Sequence, residues 1–445
     1  MPNTIAENLA RLLAAKTAIA NAITAKGGMV GSGDGLEEFP TDISTIPTGV
    51  DPEPIVAKGT VNFYDYDGTI VKSMSSAQFR SLESMPDNPT HDGLISQGWN
   101  WDLSAAKTYV AEYESLNIGQ QYITSDGKTR IYITLTEGRI SPILQLYLNA
   151  NSELDIDWGD GAHSTFTTTN ADYKSERHNY ATDGDYVIAI TVTTGSFILQ
   201  SSSIAVSTIL WNGNNNANSP DIAYNNSIQK IEIGTGVTTI GPFSFQYCYS
   251  LSSITIPNTV TSIGGTYAFN GCYSLQSITI PDSVTTIGTY AFYQCYSLQS
   301  ITIPNGVTSI GNYTFSRCSS LSSITIPDGV TSIGQYAFYN CYSLSSIAIP
   351  DSVTSIGNSA FLLCYSLSSV TIPDSTTSIG NETFSMCEYM ESIKFTSATP
   401  PTVSSSSAWY KLPTSCTIYV PSESLNAYKT ATNYPNPSTY TYVGY

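Results

Sequence analysis

The chain has 445 residues, 35 acidic against 17 basic side chains and a formal net charge of −18. That balance excludes nucleic acid as a partner, because phosphates are bound by Lys and Arg that displace counterions, and it disfavours an anionic membrane surface. No apolar run approaches the roughly 20 residues of a membrane-spanning helix, so a soluble, largely β chain of several domains is expected, with no membrane insertion.

Residues 1–50 begin with NTIAENLARLLAAKTAIANAITAK, strong helix formers with no internal Gly or Pro. Asn3 or Thr4 with Glu7 supplies a cap, and Gly27-Gly28 stops the helix. Ile5, Leu9, Leu12, Ile19 and Ile23 keep a four-and-three spacing interrupted by Lys16, an apolar seam of about three heptads. Three heptads are marginal alone. The helix either folds back on the amphipathic FPTDISTI at 39–46 or joins copies of itself as a parallel homotrimer. No basic region precedes a hydrophobic core, so no signal peptide is expected. The segment from Glu7 to Ile46 resembles the N-terminal module of tailed-phage virion proteins, which implies attachment to other virion proteins through residues 1–50.

After the linker PTGVDPEPIVAKG, residues 59–128 are read as a small α+β connector. VNFYDYDGTIVKS alternates about Asp67-Gly68, a hairpin signal. Asp65, Asp67, Gly68 and Thr69 are also similar to the nucleophile motif of haloacid-dehalogenase-like phosphatases, in which paired carboxylates work around magnesium. That chemistry requires a parallel α/β scaffold with further carboxylates and a Lys, and no such pattern follows. SSAQFRSLESM and LSAAKTYVAEY read as short helices, with Trp99 and Trp101 between them as buried anchors or as a sugar platform. The unit resembles phage-type connector domains.

Residues 129–205 carry strand alternation in RIYITL, ILQLYLNA, ELDIDWGDG and DYVIAITV. Together WGDG at 158–161, HNY at 178–180 and GDYVIAITV at 184–192 resemble the polycystic-kidney-disease-type Ig-like β-sandwich, which implies that the Trp and the Tyr of the late strand pack its core. Asp155, Asp157 and Asp160 offer clustered oxygens of the kind that hold Ca²⁺. The alternative for the same three residues is a solvated sheet edge.

Residues 206–396 repeat themselves. Cys248, Cys272, Cys295, Cys318, Cys341, Cys364 and Cys387 are spaced once by 24 residues (248 to 272) and then always by 23. Each of the first six is followed by an L-x-x-I-x-I run of strand periodicity (Val370 in place of its first Ile after Cys364), a proline that ends it beside Asn or Asp, a Val or Thr, an Ile-Gly pair, and a short segment closing on Phe; after Cys387 only the run persists, as Met390, Ile393 and Phe395. A unit this short cannot enclose its own apolar residues, so neighbours must stack into a solenoid with one shared core. The cysteines read as a ladder of buried thiols. The unit SLxSIxIPxxVxxIGxxAFxxC resembles the BspA-type leucine-rich repeat of bacterial surface and phage proteins over about residues 222–396. Within residues 397–445, CTIYVP reads as one more strand and SESLNAYKTA as a capping helix.

Catalysis requires convergent groups of unlike character. His91, His163 and His178 are scattered upstream, and no Asp/Glu pair recurs at a spacing suited to glycoside hydrolysis, so no enzyme activity, catalytic residue or cofactor is assigned. The repeats do carry two tyrosine rows. Tyr249, Tyr273, Tyr296, Tyr342 and Tyr365 follow the Cys, and Tyr267, Tyr290, Tyr313 and Tyr336 precede the Phe. Tyr offers sugars and proteins a flat face and a hydroxyl at little entropic cost, so the rows are candidate receptor contacts for host-surface glycan or protein. The other reading is that they stack and stiffen the arm. The expectation is a multidomain, mainly β chain: N-terminal helix, small α+β connector, Ig-like β-sandwich and leucine-rich-repeat solenoid. Its expected role is that of a non-enzymatic virion protein, a tail fibre, head fibre or baseplate appendage. A bacterial cell-surface adhesin and a polysaccharide depolymerase are the alternatives.

Overall fold

A computed structural model describes residues 59–64, 70–89, 94–99, 116–124, 126–136, 141–200, 209–211 and 227–445, with Leu103, Ala106, Lys107 and Val110 between. The seam of Ile5, Leu9, Leu12, Ile19 and Ile23 lies outside these residues, as do Asp65, Asp67, His91 and Trp101.

In the connector, β1 (Thr60–Tyr64) and β2 (Ile70–Ser75) pair antiparallel with Val61 opposite Met74, the hairpin that the alternation implies. Ser75 caps the helix Ser76–Arg80 in a reciprocal box with Gln78. Two further strands, β3 (Leu94–Trp99) and β4 (Leu116–Thr124), complete a sheet of order β2-β1-β4-β3. Neither was expected, because Gly98 and Gly119 interrupt their alternation. Val61, Phe63, Phe79, Ala106, Val110 and Ile118 form a small core of their own.

The next strands fall into two sheets. The first contains β5 (Thr129–Leu135), β7 (Ser152–Asp157), β8 (His163–Thr168) and β10 (Gly184–Thr194). The second contains β6 (Ile143–Leu148), β9 (Asp172–Arg177), β11 (Phe197–Leu199) and β12 (Leu210–Trp211). Strict alternation along β5 buries Ile131, Ile133 and Leu135. Both sheets then run on into the repeats. Strand β13 (Ile228–Glu232) lies antiparallel to β5 and parallel to β15 (Ser253–Thr255), and β11 lies parallel to β14 (Val237–Ile240). The sequence places a boundary at 205/206; the structure carries two hydrogen-bonded sheets and one continuous apolar core across it, from Ile131 to Tyr442.

The solenoid has about nine turns, two more than the seven repeats counted from the cysteines. One row of short parallel strands uses the expected I-x-I positions, for instance Ser369–Ile372 on Ser392–Phe395. A second row, not expected, uses the Thr-Ser-Ile-Gly stretch, with Ser355–Ile356 between Ser332–Ile333 and Ser378–Ile379. After each proline the chain turns tightly; the Val260 amide donates to the Pro257 carbonyl at 3.0 Å, and the later turns repeat the bond. Leu298, Ile303, Ile310 and Phe315 are all buried, each contributing roughly 1.5 to 3 kcal/mol before entropy is charged against it. Where the Ile-Gly pair passes the turn before it the backbones nearly touch: a Cβ on Gly357 would sit 2.6 Å from the Gln335 nitrogen. At the far end Trp409 stacks on Phe384 at 5.7 Å, and Tyr428 and Tyr434 close around Phe395. The helix Leu425–Thr430 and the strand Thr417–Val420 stand where the sequence places them, and a last strand, Thr441–Gly444, pairs beyond them. Among the described residues no helix is long and apolar enough to cross a membrane.

Candidate functional site

Each turn passes Phe, then three residues later Cys, and both point inward. The phenylalanines form an unbroken column from Phe245 to Phe384, with ring centroids 5.2 to 5.6 Å apart. Each thiol from Cys272 to Cys387 donates to the carbonyl of a Phe in the preceding turn, as Cys318 does to Phe292 at 3.2 Å. All eight cysteines are free and buried. Burial pushes up the thiols of the seven from Cys272 to Cys416, Cys387 to about 12 and Cys416 to about 11, so the reactive thiolate is suppressed there.

The residue two before the Phe sits on the surface, and there the backbone is left-handed: φ is 65° at Tyr267, 59° at Tyr290, 58° at Tyr313 and 56° at Tyr336. For an L residue that conformation costs about 1 to 2 kcal/mol. It persists because each of these amides bonds to the next turn, as Tyr290 does to the Asn312 carbonyl at 3.0 Å. The rings above lie face to face at 4.4 to 4.7 Å. An aromatic pair is worth about 0.5 to 1.5 kcal/mol. Two neighbours therefore roughly offset the strain, and the column adds little net stability.

The second row follows the Cys. Tyr249 and Tyr273 lie 4.5 Å apart, Tyr273 and Tyr296 4.8 Å, and Tyr342 and Tyr365 5.4 Å. Ser319 interrupts it. Tyr342 is 42% exposed and the other eight predicted tyrosines are half-buried, each covered on at least one face by a neighbouring ring. Burial among like rings pushes the Tyr249 and Tyr290 hydroxyls up to about 12. The structure thus brings all nine into two surface columns. It adds Phe243, stacked on Tyr267 at 5.8 Å, and places Tyr293 and Tyr339 edge-on to Tyr290 and Tyr336. Arg317, beside the gap at Ser319, lies over Tyr293 at 5.9 Å. Phe243 was legible from its spacing two before Phe245; Arg317 was not, since its column holds Gln294 and Asn340 in neighbouring turns.

The three aspartates do not converge. Asp155 lies 3.3 Å and Asp157 4.0 Å from the His163 ring, whereas Asp160 turns to His178 at 2.8 Å. Burial raises the Asp160 carboxyl, and hydrogen bonds from His178 and the Ala162 amide outweigh it, leaving its pKa below the ordinary value. Among the described residues no three His, Cys, Asp or Glu side chains gather to hold a metal ion. His178 stacks on buried Trp158 at 4.6 Å, and the Tyr180 hydroxyl donates to the Trp158 carbonyl at 2.9 Å.

Residues 219–321 and 308–430 match the family described as the BspA type leucine rich repeat region, in six copies. Residues 219–430 are leucine-rich repeats. The repeats are similar to those of several solved structures. A leucine-rich repeat protein from Bacteroides ovatus ATCC 8483 is 30% identical over 44% of this chain and 56% of that one, with a TM-score of 0.37. A leucine rich cell surface protein from Faecalibacterium prausnitzii A2-165 is 26% identical over 49% and 80%, with a TM-score of 0.33. The leucine rich repeat protein of T. pallidum is 29% identical over 44% and 86%, with a TM-score of 0.30. The match thus spans little more than half the length of the B. ovatus protein. No curated protein sequence matches the chain.

Proposed function

We propose that the leucine-rich repeats form a non-enzymatic contact arm that meets host-surface glycan or protein through its tyrosine columns. The observation that carries this reading is the left-handed backbone under Tyr267, Tyr290, Tyr313 and Tyr336. A position that Gly or Asn would fill without strain is given five times, counting Phe243, to a large ring that yields little net stability, and an exposed function accounts for that choice. The row of Tyr249, Tyr273 and Tyr296 serves the same contact. The two sheets over residues 129–200 then act as an Ig-like spacer of the polycystic-kidney-disease type, with Trp158 and Tyr180 in its core.

The arm belongs on a tailed-phage virion, held by other virion proteins through residues 1–50, as the resemblance of that segment implies. The repeats themselves resemble those of bacterial surface proteins as well as phage proteins, so the same arm on a bacterial cell surface is the second reading. Replacing Tyr273, Tyr296 and Tyr342 by Ser tests the contact: cell binding by the purified chain should be lost with the melting temperature nearly unchanged. Retained binding with a large loss of stability would show that the rings only stiffen the arm. Antibody against the repeats, imaged on virions and on cell walls, separates the two placements.

A further inference from the structure

The outer face of the first strand row is covered near its start and open near its end. Thr255 and Ser300 are buried, whereas Thr371 and Lys394 are exposed, and β4 of the connector approaches the sheet at β15. On the open stretch lies a groove of about 380 Å³ bounded by Ser369, Thr371, Ser392, Lys394, Tyr419 and Tyr445. Small-ligand sites span about 300 to 1,000 Å³. Strand register explains the grouping: Ser369 is level with Ser392, and Thr371, Lys394 and Tyr419 are level with one another on three parallel strands. Hydroxyl, ammonium and phenol therefore follow one another at the strand spacing of about 4.8 Å. Tyr445 closes the end, its hydroxyl donating to the Phe395 carbonyl at 3.0 Å and its ring centroid lying 4.2 Å from Lys394 Nζ.

Lys394 is out of pattern. The six turns from Thr255 to Thr371 hold Thr or Ala at this position, all neutral, and the first strand of the row holds an acid there, Glu232, so the strand row does not require a positive charge. The chain as a whole carries −18, yet this cation stands in a groove without a carboxylate partner among the described residues.

We infer that this groove binds a carboxylate-bearing saccharide. Lys394 pairs with the sugar carboxylate in a charge-assisted hydrogen bond. The Tyr419 and Tyr445 rings take the apolar face of the sugar, and Ser369, Thr371 and Ser392 exchange hydrogen bonds with its hydroxyls. An acidic peptide would satisfy the ammonium and could meet the hydroxyls with its backbone, but it lacks the flat apolar C–H face that the Tyr419 and Tyr445 rings offer to cover. The inference extends the reading of the repeats as a contact arm, but uses none of the residues of the tyrosine columns, so the two fail separately.

The test is calorimetric titration of the full chain with sialyllactose, a hyaluronan hexasaccharide and an oligogalacturonate, each beside its carboxyl-reduced neutral counterpart, and with a hexaglutamate peptide. At least one acidic saccharide should bind, with reduction of its carboxylate and Lys394→Gln each weakening it about tenfold, the loss of one charge-assisted bond. Lys394→Arg should retain most of the affinity, Tyr419→Ser should lower it, and Tyr273→Ser should leave it unchanged. Unaltered binding by Lys394→Gln, equal binding of hexaglutamate, or no binding of any acidic saccharide overturns the inference. Loss of binding by Tyr273→Ser with retention by Lys394→Gln would move the contact to the tyrosine columns.

Discussion

Phe315 and Tyr313 stand two residues apart in one turn, and each repeats above and below at ring spacings near 5 Å: 5.6 and 5.5 Å for Phe315, 4.4 and 4.7 Å for Tyr313. The inner ring is fully buried on unstrained backbone; the outer one is half-buried on left-handed backbone. Two columns of the same geometry thus have different origins. Removal from water drives the inner column, and the outer one has only ring contacts to set against its strain. Regular stacking is therefore no measure of what a repeated residue contributes.

Four experiments put this contrast to the test. The largest effect is expected from Phe315→Ala, which leaves a cavity between Phe292 and Phe338 and should cost about 3 to 5 kcal/mol in denaturant unfolding. A loss below about 1 kcal/mol would mean that the turns close up around the missing ring. Alkaline titration comes next. Tyr249 and Tyr290 ionise at about 12 in the folded chain against an ordinary value of 10.0. Their raised values favour the folded state, so that contribution is complete below pH 10 and is lost as the pH rises toward 12. Tyrosinate absorbance followed together with circular dichroism reads this directly; ionisation of both near pH 10, followed by difference against Tyr249→Phe and Tyr290→Phe, would show open rings. Third, Tyr290→Gly removes ring contacts and backbone strain together and should shift stability by no more than about 1 kcal/mol in either direction. A loss as large as that of Phe315→Ala would erase the distinction between the columns. The smallest signal should come from thiol labelling: with every cysteine buried and burial holding thiols such as Cys318 well above the ordinary value, the folded chain should react with none of the eight, and prompt labelling of Cys318 would contradict the core position of its column.

The inner column was legible in the sequence because Phe, Cys, Leu, Ile and Val each recur at one offset, and a burying position admits few alternatives. The nine tyrosines were legible as rows for the same reason. Their backbone was not, since left-handed positions announce themselves through Gly or Asn, and here Tyr, Arg317, Leu363 and Met386 occupy them. The second strand row escaped because two residues such as Ser355 and Ile356 are too few to show alternation. The joining of β5 to β13 brings Ile131 opposite Ile231, one hundred residues later, and no local pattern encodes such a pairing. The groove at Lys394 went unseen for a related reason: its residues come from three successive turns and the segment beyond them, and only strand register sets them side by side.

The pairing of β5 with β13 and of β11 with β14 has a mechanical meaning. A repeat array hung on a flexible tether would swing and transmit little force. Here two ladders of backbone bonds enter the neighbouring sheets directly, so a sideways pull on the repeats is shared by many bonds at once. The join behaves as a stiff bracket, and the place to weaken it is the Ile131–Ile231 rung.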